Sequence, residues 1–138
     1  MRILVATDGS PAGIAALKFG AKLTRPDGQL IVLTVESNGA GGAPHPGSDA
    51  QTVLKSAARH LRNGHDTQFH VVRARRADEV PEAISREADR LRADMVVVGS
   101  EGRDTLDEWV VGGTALRLIY VARRPVTVVR APRRRRAG

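Results

Sequence analysis

The sequence predicts one α/β domain, an open parallel five-stranded sheet with helices on both faces. Three observations carry that prediction. The chain has 138 residues and no cysteine, a length that suits a single domain of roughly 100–200 residues and closes a core without disulfides. Five short runs of β-branched and aliphatic residues recur along it, several apolar on consecutive positions, as strands covered on both faces read. Between the runs the apolar spacing changes to the helical period.

Taken in order, Ile3–Ala6 is the first strand, followed by a helix with Ser10 as N-cap and Pro11 at its first position. Its apolar stripe is Ala12, Ala15, Ala16, Phe19 and Leu23. Leu30–Val35 is the second strand. Glu36 to Gly47, rich in Gly and Pro, is expected to be an irregular, flexible crossover. Val53, Leu54, Ala57 and Leu61 mark a second helix behind Ser48, and Gln68–Val72 a third strand. Val80, Ala83, Ile84, Ala88 and Leu91 mark a third helix behind Asp78, and Met95–Val98 a fourth strand. Ala115, Leu118, Ile119 and Ala122 form a fourth helix behind Thr114, and Val126–Val129 is the last strand. The domain is expected over residues 1–130, with 131–138 a basic, disordered tail.

Composition excludes several function classes. Without cysteine there is no disulfide scaffold, thiol nucleophile or Cys-ligated metal. The formal charge is +7, but Arg133 to Arg136 supply four of those charges, and residues 1–132 carry 18 basic against 15 acidic side chains, a net of +3. A tail of this kind implies at most weak, salt-dependent nucleic-acid contact. Two Phe, one Trp and one Tyr do not make a stacking platform for single strands. No stretch approaches the roughly 18 apolar residues that span a bilayer, and the opening apolar run is too short for a secretory signal. A soluble, cytoplasmic protein without a membrane partner is the expectation.

In open α/β sheets ligands bind outside the carboxyl ends of the strands, where the strand order reverses. Small and polar residues gather at those ends here: Thr7-Asp8-Gly9-Ser10, Gly99-Ser100-Glu101-Gly102, and Gly112-Gly113-Thr114 opening the last helix. Glycines admit a phosphate close to the backbone, and a helix N-terminus offers free N–H groups. Two other nucleotide signatures are missing. There is no Gly-x4-Gly-Lys-Ser/Thr, and Gly39-x-Gly41 meets Pro44 where a dinucleotide fingerprint needs its third glycine.

Asp8-Gly9-Ser10 after the first strand, Val96-Val97-Val98-Gly99-Ser100-x-Gly102-Arg103, Gly112 ten residues on, and Arg124-Pro125-Val126-Thr127-Val128-Val129 together resemble the universal stress protein family over nearly the whole chain. The family signature is Gly-x2-Gly-x9-Gly-Ser/Thr, and Gly99, Gly102 and Gly112 occupy its glycine positions. The resemblance implies an adenine nucleotide alpha hydrolase-like fold with strand order 3-2-1-4-5, a homodimer through the last strand 126–129, and ATP as ligand. It puts Ala6, Thr7 and Asp8 by adenine and ribose and Val35 on the adenine. Val98, Gly99, Gly102, Gly112, Gly113 and Thr114 would hold ribose and phosphates.

Two departures stand out. Position 113 takes Ser or Thr in the signature and is Gly113 here, with Thr114 one place later. A hydroxyl donating to a charged phosphate is worth roughly 1.5–3 kcal/mol. Between Gly99 and Gly112, Glu101, Asp104, Asp107 and Glu108 face the single Arg103, a local net of −3. That charge opposes a triphosphate unless a divalent cation, Mg or Mn, bridges carboxylates and phosphates.

Catalytic chemistry has little support. Ser10 and Ser100 need a general base within reach, and His45, His60, His65 and His70 fall away from this edge without metal-pair spacing. No catalytic residue and no metal ligand is assigned. Trp109-Val110-Val111 reads as an apolar anchor for the acidic segment. The expected function is an ATP-responsive dimeric binding protein of the stress response, not an enzyme. A nucleotide-free interaction module, and a hydrolase or transferase on the same fold, stay open as alternatives.

Overall fold

The computed structural model describes residues 1–37, 50–61, 66–100 and 112–131. Its strands are β1 (Arg2–Ala6), β2 (Gln29–Ser37), β3 (Asp66–Ala74), β4 (Met95–Gly99) and β5 (Val126–Val129). Its α-helices are α1 (Pro11–Leu23), α2 (Ala50–Arg59), α3 (Val80–Arg90) and α4 (Gly113–Val121). All neighbouring strands run parallel in the order β3-β2-β1-β4-β5, as expected. The order reverses between β1 and β4, whose register pairs Ala6 with Val98.

The consecutive apolar residues of β1, β2 and β4 divide between two cores by strand alternation. Leu4, Ala6, Ile31, Leu33, Val96 and Val98 pack on the α3–α4 side with Ile84, Ala88, Ala115 and Leu118. Ile3, Val5, Leu30, Val32 and Val97 pack on the α1–α2 side with Ala16, Leu17 and Ala57. Leu4, Val5, Leu30, Val32, Leu33, Val96 and Val97 are wholly buried.

Some expectations need correction. In α1 the buried face is Ala12, Gly13, Ala16, Leu17 and Gly20, while Phe19 and Leu23 stay exposed. The reason is close approach: a Cβ on Gly20 would strike the Val5 side chain, so the glycine stripe, and not the bulkiest residues, faces the sheet. Glu36 and Ser37 are not crossover but continue β2, paired with Arg73 and Ala74. Asp78 does not cap α3. A 3₁₀ turn, Ala77–Glu79, leads into that helix, and the Asp78 carboxylate grips the Arg76 guanidinium instead. Thr114 is not the cap of α4 but lies in its first turn, because Gly112 takes the extended N-cap conformation. Ile119 is exposed. Ser10 does cap α1, its Oγ accepting from the Gly13 N–H at 3.1 Å, with Pro11 at the first position. Ser48, most of the Gly/Pro-rich segment and the arginine tail lie outside the described residues. No helix among the described residues is long and apolar enough to cross a membrane.

Candidate functional site

The carboxyl edge at the β1/β4 reversal is built from three turns. After β1 the chain stays tied to β2: the Thr7 N–H donates to the Leu33 carbonyl and Thr34 Oγ1 donates to the Thr7 carbonyl, both at 2.9 Å. The turn then folds on itself. Thr7 Oγ1 accepts from the Gly9 N–H at 3.3 Å, Asp8 Oδ1 accepts from the Ser10 N–H at 2.9 Å, and Gly9 adopts φ 78°, a left-handed value that suits glycine. Thr7 is buried and Asp8 exposed. Asp8 is therefore a turn-forming carboxylate first.

Across the reversal, Ser100 N–H donates to the Val129 carbonyl at 2.8 Å, and the Ser100 carbonyl accepts from Gly112 N–H. That second bond sets the start of α4 beside the end of β4. Ala6, Val35 and Val98 sit on the same side of the sheet, all packed with the α3–α4 core. The expected residues Ala6, Thr7, Val98, Gly99 and Gly112 are thus brought to one edge. Val35 stands one strand over on β2, half-buried and paired with Val72. Gly102 and the acidic residues Glu101, Asp104, Asp107 and Glu108 lie outside the described residues, as does Trp109.

The glycines at this edge serve different ends. A Cβ on Gly99 would come within 2.7 Å of the Ala12 carbonyl carbon and 2.9 Å of its oxygen. Gly99 is therefore needed for β4 to pass under the first turn of α1. Gly13 faces the β1 turn as tightly: a Cβ there would lie 2.7 Å from Thr7 Oγ1 and 2.8 Å from Asp8 Oδ1. Among the described residues, a Cβ on Gly113 meets nothing within 4 Å.

Gly113 and Thr114 line a groove of about 710 Å³ between the N-terminal turns of α3 and α4. Its other walls include Arg76, Asp78, Glu82 and Arg117, charged residues that sequence reasoning missed because they belong to no motif and meet only across α3 and α4. Arg117 Nε donates to Glu82 Oε1 at 3.0 Å, and that guanidinium holds the Glu82 carboxyl below its usual range. Glu82 Oε2 is buried with no hydrogen-bond partner among the described residues. Arg76 is held by Asp78 at 2.6 Å, which raises its own pKa further. The two helices that follow the reversal strands differ at their starts. Ser10 caps α1, whereas the N-cap of α4, Gly112, has no side chain to cap with, so among the described residues no side chain occupies its leading N–H groups.

Among the described residues no three His, Asp or Glu side chains gather as a metal site. His60 is exposed just beyond α2, and His70 on β3 meets Gln68 at 3.1 Å.

Residues 1–130 match the universal stress protein family. A curated universal stress protein of Methanocaldococcus jannaschii is 25% identical, with the match covering 96% of this chain and 84% of that protein. A solved universal stress protein of Archaeoglobus fulgidus is 25% identical with a TM-score of 0.73, covering 94% of this chain and 93% of that one. The universal stress protein of Archaeoglobus fulgidus in complex with dAMP is 26% identical with a TM-score of 0.67, covering 94% and 98%.

Proposed function

The chain belongs to the universal stress protein family, and from that premise we propose that it is an adenine-nucleotide-responsive, dimeric binding protein and not an enzyme. The carrying observation is the start of α4, where Gly112 supplies no side-chain cap, tied through Ser100 to the end of β4 on the side of the sheet that holds Ala6, Val35 and Val98. The apolar residues suit a base and the free N–H groups suit phosphate. A family relative similar to this chain has been solved with dAMP, which favours the adenine nucleotide class. ATP is the proposed ligand. Mg or Mn would accompany its phosphates, since hard divalent cations take phosphate and carboxylate oxygens together.

The same residues argue against catalysis. Ser10 Oγ is engaged as a helix cap, and Ser100 is buried with its backbone in the β4–β5 junction. Neither is paired with a histidine among the described residues.

The proposed dimer uses β5, an open edge of the sheet. Pro125 and Val129 carbonyls accept from β4, so by parallel-strand alternation the backbone groups of Val126 and Val128 face outward. On α4, Arg117 reaches α3, while Leu116, Ile119 and Tyr120 are exposed by 50, 50 and 77%. This apolar stripe gives a second copy a surface to cover. Ile119→Arg is expected to shift the sedimentation coefficient to that of a monomer, with an unchanged circular dichroism spectrum.

Trp109 is the sole tryptophan and lies in the segment joining Ser100 to Gly112. ATP with Mg is expected to change its emission saturably and to raise Tm in step. Millimolar ATP with Mg that moves neither would overturn the nucleotide reading and leave the interaction-module alternative.

A further inference from the structure

The two helical layers differ in charge. Neither α1 (PAGIAALKFGAKL) nor α2 (AQTVLKSAAR) contains an acidic residue, and the chain's three lysines all fall on them. In contrast α3 carries Glu82, Glu87 and Asp89 against Arg86 and Arg90. Both α1 and α2 cover the same side of the sheet, through Ala16, Leu17 and Ala57.

At 100° per residue, Lys18 and Lys22 lie opposite the buried face of α1, which is Ala12, Gly13, Ala16, Leu17 and Gly20. Lys55 and Arg59 likewise lie opposite Ala50, Val53 and Ala57 of α2. All four are exposed, and none makes an ion pair among the described residues. Each is spaced i, i+4 from its helical neighbour, so the four charges form two short rows on an outward plate. Arg25 and Asp27, both exposed in the α1–β2 turn, offset each other. Asp66, at the start of β3, is bonded to Gln29. Each α1 lysine is followed in sequence by an apolar residue on the helix flank, Phe19 and Leu23, exposed by 39 and 38%.

We propose that the α1–α2 face docks the protein on an anionic lipid surface. Uncompensated lysines near such a surface are attracted to it additively. Phe19 and Leu23 add an apolar contact that lipid accepts and a phosphodiester backbone does not reward. Shape points the same way: α1 and α2 cover the same side of the sheet, and a broad face meets a bilayer across its area but a duplex only along a line. Nothing in this contact spans the bilayer, so it agrees with the lack of a membrane-spanning helix among the described residues. The face is distinct from the groove between α3 and α4, and the contact needs no nucleotide.

The test is co-sedimentation of the nucleotide-free, full-length protein with vesicles of phosphatidylglycerol and phosphatidylcholine at low salt. Binding is expected with the anionic mixture and not with phosphatidylcholine alone. Lys18→Gln with Lys22→Gln should lower the partition coefficient roughly 30-fold, at about fivefold per lysine, with unchanged circular dichroism. Phe19→Gln should remove most of the binding that survives at high salt. Replacing Arg133 to Arg136 by Gln should leave at least half the affinity. The proposal is overturned if anionic vesicles do not pellet the protein, or if only the tail replacement abolishes binding. It is also overturned if a duplex DNA competes the protein off the vesicles through the same lysines, which would make the face a nucleic-acid surface.

Discussion

Replacing Gly99 by Ala separates packing from ligand contact at the first glycine of the family signature. The added Cβ would lie 2.7 Å from the Ala12 carbonyl carbon and 2.9 Å from both Ala12 Cβ and O. Two of those three atoms are backbone, so no rotamer change relieves the clash, and α1 must lift from β4. Overpacking of this kind costs about 1–3 kcal/mol. Gly99 does not sit at positive φ, so backbone conformation adds no penalty. With about 2.1 cal/mol/K of unfolding entropy per residue, a chain of 138 residues should lose roughly 3–10 °C in Tm. Gly113→Ala is the matched control, because its Cβ meets nothing within 4 Å. Removing a helical glycine there should leave Tm unchanged or raise it by about 1–2 °C. Differential scanning calorimetry of ligand-free protein reads both. A Gly99→Ala protein that melts with the wild type would refute the assignment of Gly99 to the α1–β4 contact.

Gly113→Ser restores the hydroxyl of the signature where no described residue comes within 4 Å of the added Cβ, so titration calorimetry should show ATP binding about 10-fold tighter or more, with Tm of the free protein unmoved. Arg92 holds φ 54° just after α3, where Ala93 N–H bonds back to the Ala88 carbonyl in a helix-ending turn. Arg92→Gly should stabilise the fold by about 0.5–1 kcal/mol in urea melts. The Glu82 and Glu87 carboxyls are held below 4.5 by the Arg117 and Arg90 guanidiniums. Their contribution to stability is therefore fully present above 4.5 and fades as pH falls through the lowered values. Arg117→Gln should lower Tm slightly near neutrality and flatten its fall below that pH by the same amount, both small because the pair is exposed.

The architecture was legible because it is written in local, periodic terms. Consecutive apolar residues in Ile3–Ala6 and Met95–Val98 can be satisfied only by cover on both faces, and Ser10-Pro11 announces a helix start without reference to anything distant. The glycine spacing placed Gly99 and Gly112 at one edge before any coordinates, and the family resemblance put Ala6 and Val98 there with them. Tertiary structure decided what depends on a neighbour from elsewhere in the chain. Hydrophobicity marked Phe19 and Leu23 of α1 for burial, but close approach of Gly20 to Val5 turned them to solvent. Asp78 looked like a helix cap until Arg76 claimed its carboxylate. Gly99 read as a phosphate glycine, and only Ala12, 87 positions away in sequence, reveals its steric duty. The Arg117–Glu82 pair and the lysine plate of α1 and α2 carry no motif at all. Periodicity encodes which way a residue faces relative to its own element. What it meets there is set by the packing of elements far apart in sequence, and the candidate groove between α3 and α4 and the proposed lipid face both arise at that level.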